Sequence, residues 1–232
     1  MNFLSHYYFD QNATDPHLVL GAVLPDLIKN ANKTWNLHPE KKQEQFSASE
    51  KLQSILNGWQ RHLAIDRYFH NSSFFKEHTQ SLKEMLQPAM QSSPARPSFV
   101  AHISLELLLD NLLITEKTID VAQFYTHLQS SDRITIIHFL ELNAISDADR
   151  FLRFFDQFLE ANYLHSYSEA SHIMYALNRI CMRIWENPLS ENQQEELKQI
   201  LTAYRQTLAS NYMSIFEEIN YQLNKELITS QA

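Results

Sequence analysis

Only two glycines, Gly21 and Gly58, occur among 232 residues, and this scarcity constrains the fold more than any other single feature. Glycine and proline punctuate chains at turns, and here glycine is nearly absent while the seven prolines fall mostly at apparent boundaries. The pattern favours an all-α chain, and the apolar spacing agrees. Segments near 16–30, 46–70, 72–87, 97–115, 119–129, 131–144, 147–163, 168–186 and 190–228 all carry helical periodicity. Breaks are marked by "NANKTWNLHPEKK", "QPAMQSSPARPS" and "ENPLSENQ", and by the clusters "SSD" and "ISDAD", whose short polar residues suit N-caps. One stretch, "RITIIHF", is equally compatible with a short strand, because branched residues favour strands. The final segment places Leu197, Ile200, Leu201, Tyr204, Leu208, Tyr212, Ile215, Phe216 and Ile219 at mixed three and four spacing, a packing face for one long terminal helix. The expectation is a multi-helix bundle forming a single domain over 1–232. The same lack of glycine excludes a Gly-rich phosphate loop and a dinucleotide-binding fingerprint, so phosphate chemistry in this chain must run on metal ions.

Composition narrows the classes further. With 44% hydrophobic and 12% aromatic residues the chain can bury a sizeable core. No window approaches the run of roughly 18 apolar residues that a membrane span needs, and "MNFLSHYYFD" lacks the basic and apolar regions of a secretory signal, so a cytoplasmic protein is expected. A lone cysteine, Cys181, excludes an internal disulfide and a thiolate-rich zinc site, leaving His and carboxylates as the metal ligands available. Nineteen Lys and Arg against 27 Asp and Glu give a formal charge of −8, which speaks against broad nucleic-acid binding.

Two segments carry the chemistry. In "NGWQRHLAIDRYFHNS", His62, Asp66 and His70 recur every four residues and share one helical face. In "FVAHISLELLLDNLLI", His102, Glu106 and Asp110 repeat the spacing among Leu105, Leu107, Leu108, Leu109, Leu112 and Leu113. Carboxylates in such surroundings are costly to bury unless paired or metal-bound. Each stripe alone is consistent with ordinary i, i+4 pairs and with Asp110 accepting from Arg or Tyr. Together they match the device by which bundles build metal sites, His and carboxylates projecting inward from facing helices, so His62 and Asp66 are expected to face Asp110. Upstream, His6 sits in an aromatic-rich helix that would bury it, and Asp26 follows "GAVLP" where Pro25 and Asp26 also suit the start of a new turn. His127, His138, His165 and His172 have no paired carboxylates and read as surface or packing residues.

The ordered set "MNFLSH", "LGAVLPD", "GWQRHLAID" and "LELLLDNLL", over roughly the first half of the chain, resembles the acyl carrier protein phosphodiesterase family. Its members begin Asn-Phe-Leu-Ala-His and continue with Gly-Asn-x-x-x-Asp, His-Arg-x-Ile-Asp-x-x-Thr-Asp and Asp-x-x-x-Asp-His. They look like divergent relatives of the all-α HD-type metal-dependent phosphohydrolases. Position by position, the resemblance implies His6, Asp26, His62, Asp66 and Asp110 as metal ligands. The chain departs from the pattern at Ala22, His70, Glu106 and Asn111, where the family has Asn, Asp, Asp and His.

What the resemblance implies is a phosphodiester hydrolase that removes 4′-phosphopantetheine from holo-acyl carrier protein. One or two divalent ions, with Mn²⁺ the implied choice and Zn²⁺ or Fe²⁺ open alternatives, would activate water and neutralise phosphoryl charge. Asp66 and His70 are the catalytic candidates, His70 as a further ligand or general acid, while His102 and Glu106 would orient the ligands. An acidic carrier protein meeting a −8 enzyme requires local cations, and Arg61, Arg67 and Lys29 are the candidates. The competing expectations are a hydrolase of nucleotides or other small phosphoesters and a non-catalytic helical binding protein.

Overall fold

Short polar side chains start the helices where the sequence places them. In a computed structural model that describes residues 1–229, Asp15 accepts from the His17 amide with Pro16 at the first helical position, and Ser72 accepts from Phe75 N. Asp132 of "SSD" and Asp147 of "ISDAD" cap the helices that follow them, and Ser190 and Gln193 form a reciprocal capping box. The resulting order is α1 (Phe3–Tyr8), α2 (Pro16–Ala31), α3 (Glu50–Asn71), α4 (Ser73–Leu86), α5 (Pro97–Thr115), α6 (Val121–Gln129), α7 (Arg133–Leu142), α8 (Ala148–Ala161), α9 (Ala170–Cys181), α10 (Glu191–Ala209) and α11 (Met213–Thr229). No strand occurs among the described residues, so the protein is an all-α multi-helix bundle. "RITIIHF" lies in α7, where Asp132 caps its first turn and Ile136 and Phe139 are buried.

The chain divides into two compact units, with the boundary inside α3 between Asp66 and Arg67. One comprises Asn2–Asp66 and Ile119–His165. Here α2 packs against α1, α6 and α8, burying Leu20, Val23, Leu24 and Leu27. Phe151, Phe155 and Phe158 line the inner face of α8, and Phe3–Phe158 and Tyr7–Phe124 ring contacts at 5.3 and 5.1 Å tie α1 into the core. The helix α2 continues through Pro25 rather than restarting there, which places Asp26 mid-helix and removes the capping role its position suggested.

The two glycines meet in this unit. A Cβ on Gly21 would lie 2.2 Å from the Ile55 carbonyl oxygen, and one on Gly58 would lie 2.2 Å from that of Leu18. Both are therefore required to be glycine by the close crossing of α2 and α3.

The other unit comprises, among the described residues, Met1, Arg67–Thr118 and 166–229. Its α5 packs on α4, α9 and α10, burying Leu105, Leu109, Leu112 and Leu113 with Leu82, Leu177 and Leu201. By length and a mean hydropathy of 1.4, α5 is apolar enough to cross a bilayer, contrary to the expectation from sequence. Most of that window is buried in protein, as befits a core helix. The single terminal helix expected over 190–228 is instead two. The chain leaves α10 at Ser210, whose hydroxyl donates to Thr207 O at 2.9 Å, and Tyr212 is buried with its hydroxyl 2.9 Å from that of Thr118. These polar contacts of Ser210 and Tyr212 accompany a break that apolar spacing alone does not show.

Candidate metal centre

The glycine crossing sets His62. With α2 and α3 in backbone contact, His62 Nδ1 comes 2.8 Å from the Ala22 carbonyl oxygen. A carbonyl only accepts, so Nδ1 carries the proton and donates, and Nε2 is left as the lone-pair nitrogen. That nitrogen lies 3.7 Å from Asp66 Oδ2 one turn along the helix. His6, on α1, presents Nε2 at 3.3 Å from Asp66 Oδ1, and its ring stacks on His62 with centroids 3.8 Å apart and 15° between planes. His6 and His62 are buried, whereas Asp66 is one-third exposed.

The electrostatics prepare this trio for a cation. Burial, reinforced by the charge of His62, lowers the pKa of His6 to about 4, so its imidazole is neutral at pH 7. Burial would raise the Asp66 carboxyl, but neighbouring positive charge holds it well below the usual carboxylate range. His6 Nδ1 is buried without a hydrogen-bond partner, and Nε2 has the Asp66 contact without hydrogen-bond geometry. Orphaned polar atoms of this kind are rare and costly in a packed interior. Two imidazoles and a carboxylate, their donor atoms all within 4.8 Å, fit a divalent transition metal.

A cavity of about 280 Å³ lies beside His62, lined among others by Asp26, Lys29, Trp35, Trp59 and Leu63. Asp26 and Lys29 thus share the cavity wall with His62. A second cluster stands in the other unit: His70 Nε2 is 3.2 Å from His102 Nε2, and Glu106 Oε1 is 2.9 Å from His102 and 3.5 Å from His70. Asp110 also belongs to that unit and is fully buried on α5. Asn111, where the family pattern has His, donates to the carbonyls of Tyr167 and Ser168 at 2.7 and 3.1 Å and accepts from Arg205. Its amide is engaged in holding α5 to its neighbours.

The candidate cations differ in their availability. Arg61 pairs with the buried carboxylate of Asp10 at 2.9 Å, and Arg67 pairs with Glu226 at 2.7 Å on an exposed surface. Lys29 donates to Asn36 at the cavity. The Ala22 carbonyl and the Trp35 wall have no signature in the motifs. The glycines do offer a signal, since both stand inside helical periodicity, where glycine is costly without a packing reason.

The model of the family described as acyl carrier protein phosphodiesterase matches residues 1–219. The chain belongs to the acyl carrier protein phosphodiesterase family. No curated protein and no solved structure matches it. Family membership therefore extends beyond the first-half motifs into α11, and it indicates a phosphodiesterase with acyl carrier protein as its partner.

Proposed function

We propose that this acyl carrier protein phosphodiesterase family member is a metal-dependent hydrolase that removes 4′-phosphopantetheine from holo-acyl carrier protein, using the centre formed by His6, His62 and Asp66. The observation that carries the reading is the buried, stacked imidazole pair facing one carboxylate, with the His62 tautomer set by the Ala22 carbonyl. A divalent ion held there, Mn²⁺ by the family resemblance, supplies Lewis acidity that activates water and screens phosphoryl charge. His62 offers Nε2 because Nδ1 is committed as a donor, and the depressed pKa of His6 keeps its ring able to ligate at neutral pH. Asp66, ionised and partly exposed, faces both imidazoles.

The adjoining cavity suits a slender arm attached through phosphate: Trp35, Trp59 and Leu63 give it apolar walls, and Lys29 gives it a cation for an acidic partner. The test incubates holo-carrier protein with the enzyme and Mn²⁺, with and without chelator, and follows conversion to the apo form by intact mass. Metal-dependent conversion supports the reading. Bound metal and turnover of a generic phosphodiester without carrier-protein conversion would instead identify a small-substrate hydrolase.

A further inference from the structure

The cluster on α3, α5 and Phe75 belongs to a different unit from the centre above, and it has the makings of a site of its own. His70 Nε2, His102 Nε2 and Glu106 Oε1 form a triangle with edges of 3.2, 2.9 and 3.5 Å. Donors bound at roughly 2.0–2.2 Å to one tetrahedral or octahedral ion stand about 3.0–3.5 Å apart, which these edges match. Two imidazole nitrogens at 3.2 Å meet around a shared proton, with their N–H groups turned onto the Glu106 carboxylate, or around a shared cation, and the third of these brings all three donor atoms to one point.

Packing holds the rings in this arrangement. The Phe75 ring lies 4.9 Å from the rings of both His70 and His102, nearly edge-on to each at 75° and 83°. His102 and Glu106 are one turn apart on α5, so the helix fixes their separation. The Met1 nitrogen also lies 3.1 Å from Glu106 Oε1. About a third of each imidazole side chain is exposed while Glu106 is mostly covered, so the triad has an opening through which an ion can enter.

We propose that His70, His102 and Glu106 form a second, separate metal site of two imidazoles and one carboxylate, selective for borderline ions such as Zn²⁺, Co²⁺ or Fe²⁺ over Mg²⁺ or Ca²⁺. Two nitrogen donors give that preference, because Mg²⁺ and Ca²⁺ demand an oxygen shell. Three protein ligands leave coordination positions open, the pattern of sites that take up water or an anionic oxygen rather than purely structural closed ones. The site shares no residue with the centre of His6, His62 and Asp66.

The experiment titrates chelated full-length protein with Co²⁺, reading visible absorption and bound metal after equilibrium dialysis, for the wild type, His102→Gln and His6→Ala. A bound equivalent that persists in His6→Ala and is weakened at least roughly 10- to 100-fold in His102→Gln supports the site. Competition by Zn²⁺ but not by excess Mg²⁺ supports the ion preference. Co²⁺ binding that is unchanged by His102→Gln overturns the proposal, even if it vanishes in His6→Ala and so upholds the other centre. No Co²⁺ binding by folded wild type overturns it as well. Far-ultraviolet circular dichroism verifies folding, and if His102→Gln fails that check, His70→Gln provides the same comparison.

Discussion

Gly58→Ala separates two physical arguments of opposite sign. Helix propensity alone predicts that replacing a mid-helix glycine by alanine stabilises the protein by about 1 kcal/mol. The structure predicts the reverse, because the new Cβ would lie 2.2 Å from the Leu18 carbonyl oxygen, 2.7 Å from Ala22 N and 2.8 Å from Gly21 C. All three are backbone atoms, so no side chain can swing aside and α2 must move away from α3. Overpacking typically costs roughly 1–3 kcal/mol, and a backbone clash belongs at the upper end. After the propensity gain, a net loss of roughly 2 kcal/mol remains, which in a chain of this size lowers the melting midpoint by roughly 4–8 °C. Thermal denaturation followed by circular dichroism measures it. The same separation lengthens the 2.8 Å bond from His62 to Ala22, so metal affinity should fall alongside stability. A Gly58→Ala protein as stable as the wild type, or more so, would refute the claim that the crossing requires glycine.

Further outcomes follow from other contacts. His62→Ala or Asp66→Asn should reduce metal affinity by at least roughly 10- to 100-fold, while His138→Ala and His172→Ala leave it unchanged, as elemental analysis after dialysis will show. Arg61→Ala strands the carboxylate of Asp10, which is 5% exposed, and should cost on the order of 3 kcal/mol in urea unfolding; a loss within error would show that Asp10 is compensated elsewhere. Burial lowers the pKa of His78, whose Nδ1 is 2.7 Å from the Tyr204 hydroxyl, so the unfolded chain takes up this proton at higher pH than the native one. Stability from His78 is thus present above the ordinary His range and lost as pH falls through it, and His78→Gln should flatten the change in urea midpoint between about pH 7.5 and about pH 5.5. Lys29→Glu should slow conversion of holo-carrier protein through association, and added salt should slow the wild type, while turnover of a small phosphodiester changes little.

Periodicity and capping made most of the helices legible, because Asp15, Ser72, Asp132, Asp147 and Ser190 act locally at their own helix starts. The turn at residues 210–212 was not legible, since Tyr212 and Ile215 keep the apolar spacing across it and Tyr212 meets a residue 94 positions away. "RITIIHF" resolved as helix because Asp132 and the buried Ile136 and Phe139 outweigh a weak strand preference. At the centre, the i, i+4 pair of His62 and Asp66 was readable from spacing, and His6 only from the resemblance. The carbonyl that fixes His62 could not be found by motif, because backbone atoms leave no letter in a sequence. Arg61 shows the converse, a conspicuous charge beside the motif that is engaged with Asp10.

The most direct test of the central claim measures the rate of holo- to apo-carrier protein conversion against metal occupancy, in chelated and stepwise reloaded wild type and in His62→Ala. The account predicts a rate that rises with occupancy in the wild type and stays at background in His62→Ala at every metal concentration. Conversion that persists after complete chelation, or that proceeds equally in His62→Ala, would contradict it.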